Sequence, residues 1–117
     1  MSFLSKLIIL LAFISSSVLA GTAEITGKQL SKVRVVGDYP GTTFDDSIEL
    51  WFTAPITWPA GVDCTNISRV YIDAKNTHLV SAAYMALAAG KTVNFFIDDQ
   101  LTMRNGSCEV SYLDVIS

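Results

Sequence analysis

The sequence has few of the residues that build catalytic and metal centres. Its 117 residues include one histidine, His78, and two cysteines, Cys64 and Cys108. His78 therefore has no second histidine, and no cysteine stands at the spacing from it that a zinc site or a cysteine–histidine catalytic pair requires. Charged residues make up only 16% of the chain, without the clustered Lys and Arg that nucleic acids and anionic membranes require. The sequence predicts no cofactor, no metal and no nucleic-acid partner.

Long apolar runs are also absent. The run at residues 7–14 is too short to span a bilayer, which takes about 20 residues. It follows Lys6 and precedes small residues that end at Ala20, which is the pattern of a cleavable signal peptide. We expect residues 1–20 to be removed, with cleavage after Ala23 as the alternative, and the mature chain to be secreted or periplasmic.

The mature chain, residues 21–117, is short and acidic. Without Lys6 it keeps seven basic and eleven acidic side chains, a formal charge of −4. A chain of this size forms one domain, whose core alone gives marginal stability. In an oxidising compartment Cys64 and Cys108 are expected to form a disulfide, with two free thiols as the alternative.

Five segments alternate apolar and polar residues, as half-buried strands do. In the second segment, Ile48, Leu50 and Phe52 share one face and Trp51 lies on the other. One segment, residues 76–89, breaks the alternation and predicts a helix that ends at Gly90. The predicted strands are residues 24–36, 47–53, 68–73, 92–98 and 108–116.

Three strands, a helix and two strands make a mainly β protein in the element order of the OB-fold, a five-stranded barrel. Another small α+β or β-sandwich arrangement is the alternative. The order, the signal peptide, the single disulfide and an Ala-rich helix that runs into Gly90-Lys91-Thr92-Val93 resemble the B-subunits of bacterial multi-subunit toxins, including the subtilase-cytotoxin kind. The resemblance is one of architecture and covers most of the mature chain. It implies a ring-forming module that binds glycans.

Aromatic residues are the main candidates for ligand contact. Trp51, Tyr71 and Phe96 are out of phase with the inward residues of their strands, so they should point away from the core, where aromatics suit sugar stacking or protein contact. Trp51 and Tyr71 lie on consecutive strands and are candidate cross-strand neighbours. The alternative is that these rings pack under loops such as residues 54–66. Turns 38–46 and 98–107, which carry Tyr39 and Arg104, correspond to the ligand-binding loops of OB-folds.

The predicted helix has no charged residue between Lys75 and Lys91. A helix on a barrel normally keeps a charged face for water, so a second subunit is expected to cover this one, with a bland exposed surface as the alternative. The predicted oligomer contacts are Ala82, Ala83, Met85 and Ala86.

Acidic and amide residues give weaker signals. The turn aspartates lack the alternating ligand spacing of a calcium loop. Asp73, Asp98 and Glu109 could supply the carboxylate pair of a glycosidase, but a domain of this size offers little cleft. Asn66 and Asn105 begin glycosylation sequons, which matter only in a host that glycosylates.

The sequence thus predicts an exported, non-catalytic module that binds a glycan or a protein, and that forms a homo-oligomer. The alternative is a monomeric periplasmic protein that inhibits or supports a partner enzyme.

Overall fold

The computed structural model of the chain describes residues 21–117. The predicted signal peptide, residues 1–20, lies outside the described residues. Five strands and one helix follow one another in the predicted order. They are β1 (Thr22–Val36), β2 (Ser47–Phe52), β3 (Arg69–Asp73), α1 (Thr77–Ala89), β4 (Thr92–Asp98) and β5 (Val110–Ile116).

The strands form one antiparallel sheet in the order β3-β2-β1-β4-β5. β1 is long enough, at 15 residues, to serve two partners. Its first half pairs with β4 and its second half pairs with β2. The pairing with β4 shifts register around Gly27, which adopts a φ of 66° and donates its N–H to Asn94 Oδ1 at 2.9 Å. This irregularity bends β1 and lets one strand turn from one partner to the other.

The two outer strands of the sheet meet at one point. Tyr71 of β3 forms a parallel bridge with Glu109, and its N–H donates to the Cys108 carbonyl at 3.1 Å. The predicted disulfide, Cys64–Cys108, lies beside this bridge with its Cα atoms 5.6 Å apart. A mainly β fold with one helix and one disulfide is therefore confirmed.

The core lies on the sheet face that the alternation predicted. Ile48, Leu50 and Phe52 are buried, and so are the inward residues of β3 and β4. The rings of Phe52 and Phe95 stack at 5.2 Å, and Trp58 from the 54–66 loop packs edge-on against Phe95. Trp58 also donates its indole N–H to the Asn66 carbonyl at 2.9 Å. The loop thus closes over the apolar core.

The helix is shorter by one residue than predicted, because Asn76 is its N-cap. Gly90 ends it in the left-handed conformation, as predicted, with φ 64°. Among residues 21–117, no helix has the length and hydrophobicity needed to cross a membrane.

Two of the four predicted oligomer contacts face the chain's own core. Ala83 and Ala86 are 0% and 1% exposed because they follow Leu79 at helical spacing on the buried stripe. Ala82 is half-buried, and Met85 is 56% exposed. The large apolar side chains that the helix exposes are Tyr84, Leu87 and the predicted Met85.

Candidate functional site

The outward face of β1, β2 and β3 carries a cluster of basic side chains around one tryptophan. Strand register produces it, because Trp51 lies opposite Lys32 on one side and opposite Arg69 on the other. The next row places Glu49 between Arg34 and Tyr71. We call the outward side chains of Lys32, Arg34, Glu49, Trp51 and Arg69 the Trp51 face.

Trp51 is half-buried under three cations. The Lys32 Nζ atom lies 4.1 Å from the ring centroid, and the guanidinium carbons of Arg69 and Arg34 lie at 5.1 and 5.4 Å. These distances are those of cation–π contacts. The indole Nε1 atom is buried and has no hydrogen-bond acceptor within residues 21–117. Among the described residues, the Trp51 ring therefore contacts three cations, while its indole N–H has no hydrogen-bond acceptor.

Glu49 is a buried carboxylate at the centre of the Trp51 face. It is 4% exposed, and its Oε2 atom lies 3.2 Å from Arg69 Nη1. The approach of Arg34 is longer, 3.8 Å to Oε1, and that side chain is half exposed. Oε2 has no aligned hydrogen bond among the described residues, so its pairing with Arg69 is ionic. A buried carboxylate requires a charge partner, and Arg69 supplies it.

Arg69 is the most constrained basic residue of the cluster. Its Nε donates to the hydroxyl of buried Ser107 at 3.1 Å. Its guanidinium carbon lies 5.1 Å from the ring centroid of its cross-strand neighbour Trp51 and 5.9 Å from that of Phe44. The Arg69 side chain is only 16% exposed. The positive charge is thus fixed in position before any ligand arrives.

A pocket of about 180 Å³ opens beside these charges. Its floor is the sheet and its rim is the 37–46 turn, which joins β1 to β2 and contributes two aromatic rings. Tyr39, a predicted ligand contact, is 59% exposed at this rim. The lining residues are Arg34, Val36, Tyr39, Phe44, Glu49 and Arg69.

Arg104, another predicted ligand contact, ties the two turns together. From the 99–109 turn it pairs with Asp73 at 3.5 Å and donates to the carbonyls of Thr43, at 3.1 Å, and Asp45. Its guanidinium also lies 4.8 Å from the Tyr71 ring centroid. Arg104 therefore fixes the 99–109 turn against the 37–46 turn and against β3.

Tyr71 lies on the outward side of the sheet but beneath the 99–109 turn. It is 2% exposed, and its hydroxyl donates to the Thr102 carbonyl. Burial, and after it the Glu109 carboxylate, raises the pKa of the Tyr71 hydroxyl. Tyr71 is opposite Glu49, so it is a diagonal neighbour of Trp51, not its direct cross-strand partner. The structure thus places Tyr71 as a support for the turn.

Phe96 lies apart from this cluster. It is on β4, in the other half of the sheet, where its ring stacks on Tyr112 with centroids 5.0 Å apart. Tyr112 is 41% exposed, so this half carries a small aromatic surface of its own. Trp51, Tyr39 and Arg104 therefore belong to one region, and Phe96 does not.

No protein-family model, curated protein or solved structure matches this chain. The site must accordingly be interpreted from its own chemistry.

A group of carboxylates stands on the same turn as the pocket rim. Ligand atoms of Asp38, Asp45 and Asp46 lie within 4.8 Å of one another. Asp45 already accepts the backbone N–H of Tyr39. These carboxylates put negative charge beside the basic pocket.

Sequence reasoning missed Lys32, Arg34, Glu49, Phe44 and Arg69. The alternation in β2 carries part of the signal, because Glu49 is two residues from Trp51 and must share its face. The two arginines lie on other strands. Their proximity depends on strand register, which the alternation alone does not specify.

Proposed function

We propose that this protein is an exported, non-catalytic binding module that recognises a glycan through the Trp51 face and its pocket. The observation that carries the proposal is the cluster of three cations around Trp51, beside a pocket with an aromatic rim. Aromatic faces and fixed hydrogen-bond donors are what a sugar needs, since a sugar offers apolar C–H faces and many hydroxyls.

We further propose that the sheet closes as an OB-type barrel. Three features support this: the strand order, the bent β1 that serves two partners, and the β3–β5 bridge at Tyr71 and Glu109. OB-folds bind ligands on the face of strands 2 and 3, between the turns that join strands 1–2 and 4–5. The Trp51 face and the turns that Arg104 joins occupy those places.

Oligonucleotides are the other common ligands of OB-folds. Single strands are bound by a long basic groove with several stacked bases. Here the mature chain carries a formal charge of −4, and three aspartates share the turn at the pocket rim. A long polyanion would meet this negative charge, which favours a glycan over a nucleic acid.

The ion pairs of Glu49, the carboxylate that lines the pocket, also favour a binding role over a catalytic one. Glycoside hydrolysis requires two carboxyl groups, one on each side of the scissile bond. Among the described residues that line the pocket, Glu49 is the one carboxylate, and two arginines engage it. This geometry neutralises the charge of Glu49 and leaves it no partner for acid–base work.

The test is a glycan array probed with the mature, oxidised protein. Trp51→Leu removes the central ring, and Phe96→Leu is the matched control, since it removes an aromatic of the other outward face. We expect wild type and Phe96→Leu to bind the same glycans and Trp51→Leu to lose them. Equal binding by all three proteins would overturn the proposed site, and no binding by wild type would overturn the glycan ligand.

We propose in addition that the helix face of Tyr84, Met85 and Leu87 contacts a second copy of the chain. These three side chains are 42%, 56% and 37% exposed on a helix without charge. The rival function, a monomer that acts on a partner enzyme through one loop, is favoured by Leu101 and Met103, each 39% exposed on the 99–109 turn. Light scattering during size exclusion separates the two, because only the first predicts a mass above that of one chain.

A further inference from the structure

The pocket beside Trp51 has more positive than negative charge. Arg34 and Arg69 line it with one carboxylate, Glu49, so one positive charge is left over. Lys32 lies outside the lining, 4.1 Å from the Trp51 ring. Asp38, Asp45 and Asp46 also lie outside the lining, on the turn at the rim, so a small anion that reaches the two arginines is favoured over a long polyanion that would also meet these carboxylates.

The arginines still have donors to offer. Arg69 uses Nε for Ser107 and Nη1 for Glu49, and Arg34 directs Nη1 toward Glu49. Within residues 21–117, Arg69 donates one side-chain hydrogen bond, from Nε, and the Arg34 side chain donates none. Guanidinium groups bind carboxylate and sulfate oxygens through charge-assisted hydrogen bonds, which are about twice as strong as neutral ones.

The site is also ordered in advance. Buried Glu49 and Ser107 hold the head of Arg69, and the rings of Trp51 and Phe44 flank it. A side chain that is already fixed loses little entropy when it binds. A positively charged ligand group is disfavoured here, because Glu49 is 4% exposed and lies beneath the two arginines.

We propose that this pocket binds the anionic group of an acidic sugar, a carboxylate or a sulfate, while Tyr39 at the rim contacts the sugar ring. This proposal rests on the proposed glycan-binding function and names the class of glycan. The two anions share one chemistry, and the experiment distinguishes them.

The chain's two tryptophans make a direct test in solution. In a ¹⁵N-correlated NMR spectrum the Trp51 indole N–H reports on the pocket through Arg34 and Arg69, whose guanidinium carbons lie 5.4 and 5.1 Å from its ring. The Trp58 indole N–H, bonded to Asn66 and packed on Phe95, is the internal control. Sodium sulfate and sodium acetate are titrated separately, with sodium chloride at equal ionic strength as the blank. We expect a saturable shift of the Trp51 signal with at least one anion and no shift of the Trp58 signal.

Three variants assign the effect. Arg69→Gln and Arg34→Gln each remove a pocket charge and should weaken anion binding about tenfold or more, as loss of a charged hydrogen bond does. Lys28→Gln removes the same charge outside the pocket, where Lys28 donates to the Pro55 carbonyl, and should bind as wild type does. If Arg69→Gln fails to fold, Arg34→Gln still tests the pocket. The Arg34 side chain is half exposed, so its replacement should leave the fold intact.

The outcomes separate this proposal from the function on which it rests. Absence of a Trp51 shift with both anions overturns the anionic pocket. The anionic pocket is also overturned if the protein binds neutral glycans on the array and Arg34→Gln binds them equally well. In that case the proposed glycan-binding function still stands. Preference for uronic-acid over sulfated oligosaccharides, or the reverse, identifies the anion. If the protein binds a free anion but no glycan, the anion-binding pocket is supported and the proposed glycan-binding function is overturned.

Discussion

Arg69→Met is the substitution whose effect on stability follows most directly from the structure. It leaves the Glu49 carboxylate 4% exposed and removes its nearest partner, at 3.2 Å. Breaking a buried pair from one side costs about 3–5 kcal/mol. Arg34 remains at 3.8 Å and Arg69 is itself 16% exposed, so we expect a loss near the lower limit, about 3 kcal/mol.

Arg34→Met is the matched control, because it also removes one positive charge near the Glu49 carboxylate, but at the longer distance of 3.8 Å. The Arg34 side chain is 52% exposed, and exposed ion pairs contribute about 0–1 kcal/mol. Urea denaturation of the oxidised proteins, followed by circular dichroism, gives the free energy of unfolding. We also expect Glu49→Met combined with Arg69→Met to be more stable than Arg69→Met alone, since it leaves no unpaired buried charge. Equal, small losses for the two single variants would refute the buried position of Glu49.

Four further predictions concern the rest of the fold. Replacing Cys64 and Cys108 with alanine should lower the free energy of unfolding by about 4 kcal/mol in urea denaturation, since the disulfide joins residues 44 positions apart. Ala83→Glu should unfold the protein or destabilise it by several kcal/mol by circular dichroism, because this alanine is 0% exposed. Met85→Glu should leave stability unchanged and, in light scattering, reduce any oligomer to single chains. Burial raises the pKa of Glu109 above its ordinary 4.5, so the folded state holds this proton more tightly than the unfolded chain and ionisation lowers stability as pH rises. Glu109→Gln should therefore have a higher melting temperature than wild type at neutral pH and an equal one well below pH 4.5.

The elements of the fold could be predicted from sequence because their local signals agree. Alternation placed Ile48, Leu50 and Phe52 in the core, and every strand boundary is within two residues of the prediction. Gly90 marked the end of the helix because a left-handed residue there favours glycine. Closure of the sheet into a barrel stays a prediction: the five strands form an open sheet, with one bridge between Tyr71 of β3 and Glu109, which precedes β5.

The candidate site could be predicted only in part. The phase of β2 indicated that Trp51 faces outward, and the position of Tyr39 in a turn indicated that it is exposed. Arg69 could not, because its contact with Trp51 depends on the β2–β3 register. The predicted contacts on the helix were wrong at Ala83 and Ala86 because both residues are buried. An Ala-rich helix has no charged face that would show from sequence which alanines point inward.

The most direct test of the account is to locate the bound ligand. A ¹⁵N-correlated NMR spectrum of the mature protein is recorded with the strongest acidic oligosaccharide from the array. We predict that signals from β2, β3 and the 37–46 turn shift, with Trp51 and Arg69 among the largest changes, while the signals of Phe96 and Tyr112 do not shift. Shifts confined to β4, β5 or the helix would contradict it and would move the binding surface away from the Trp51 face.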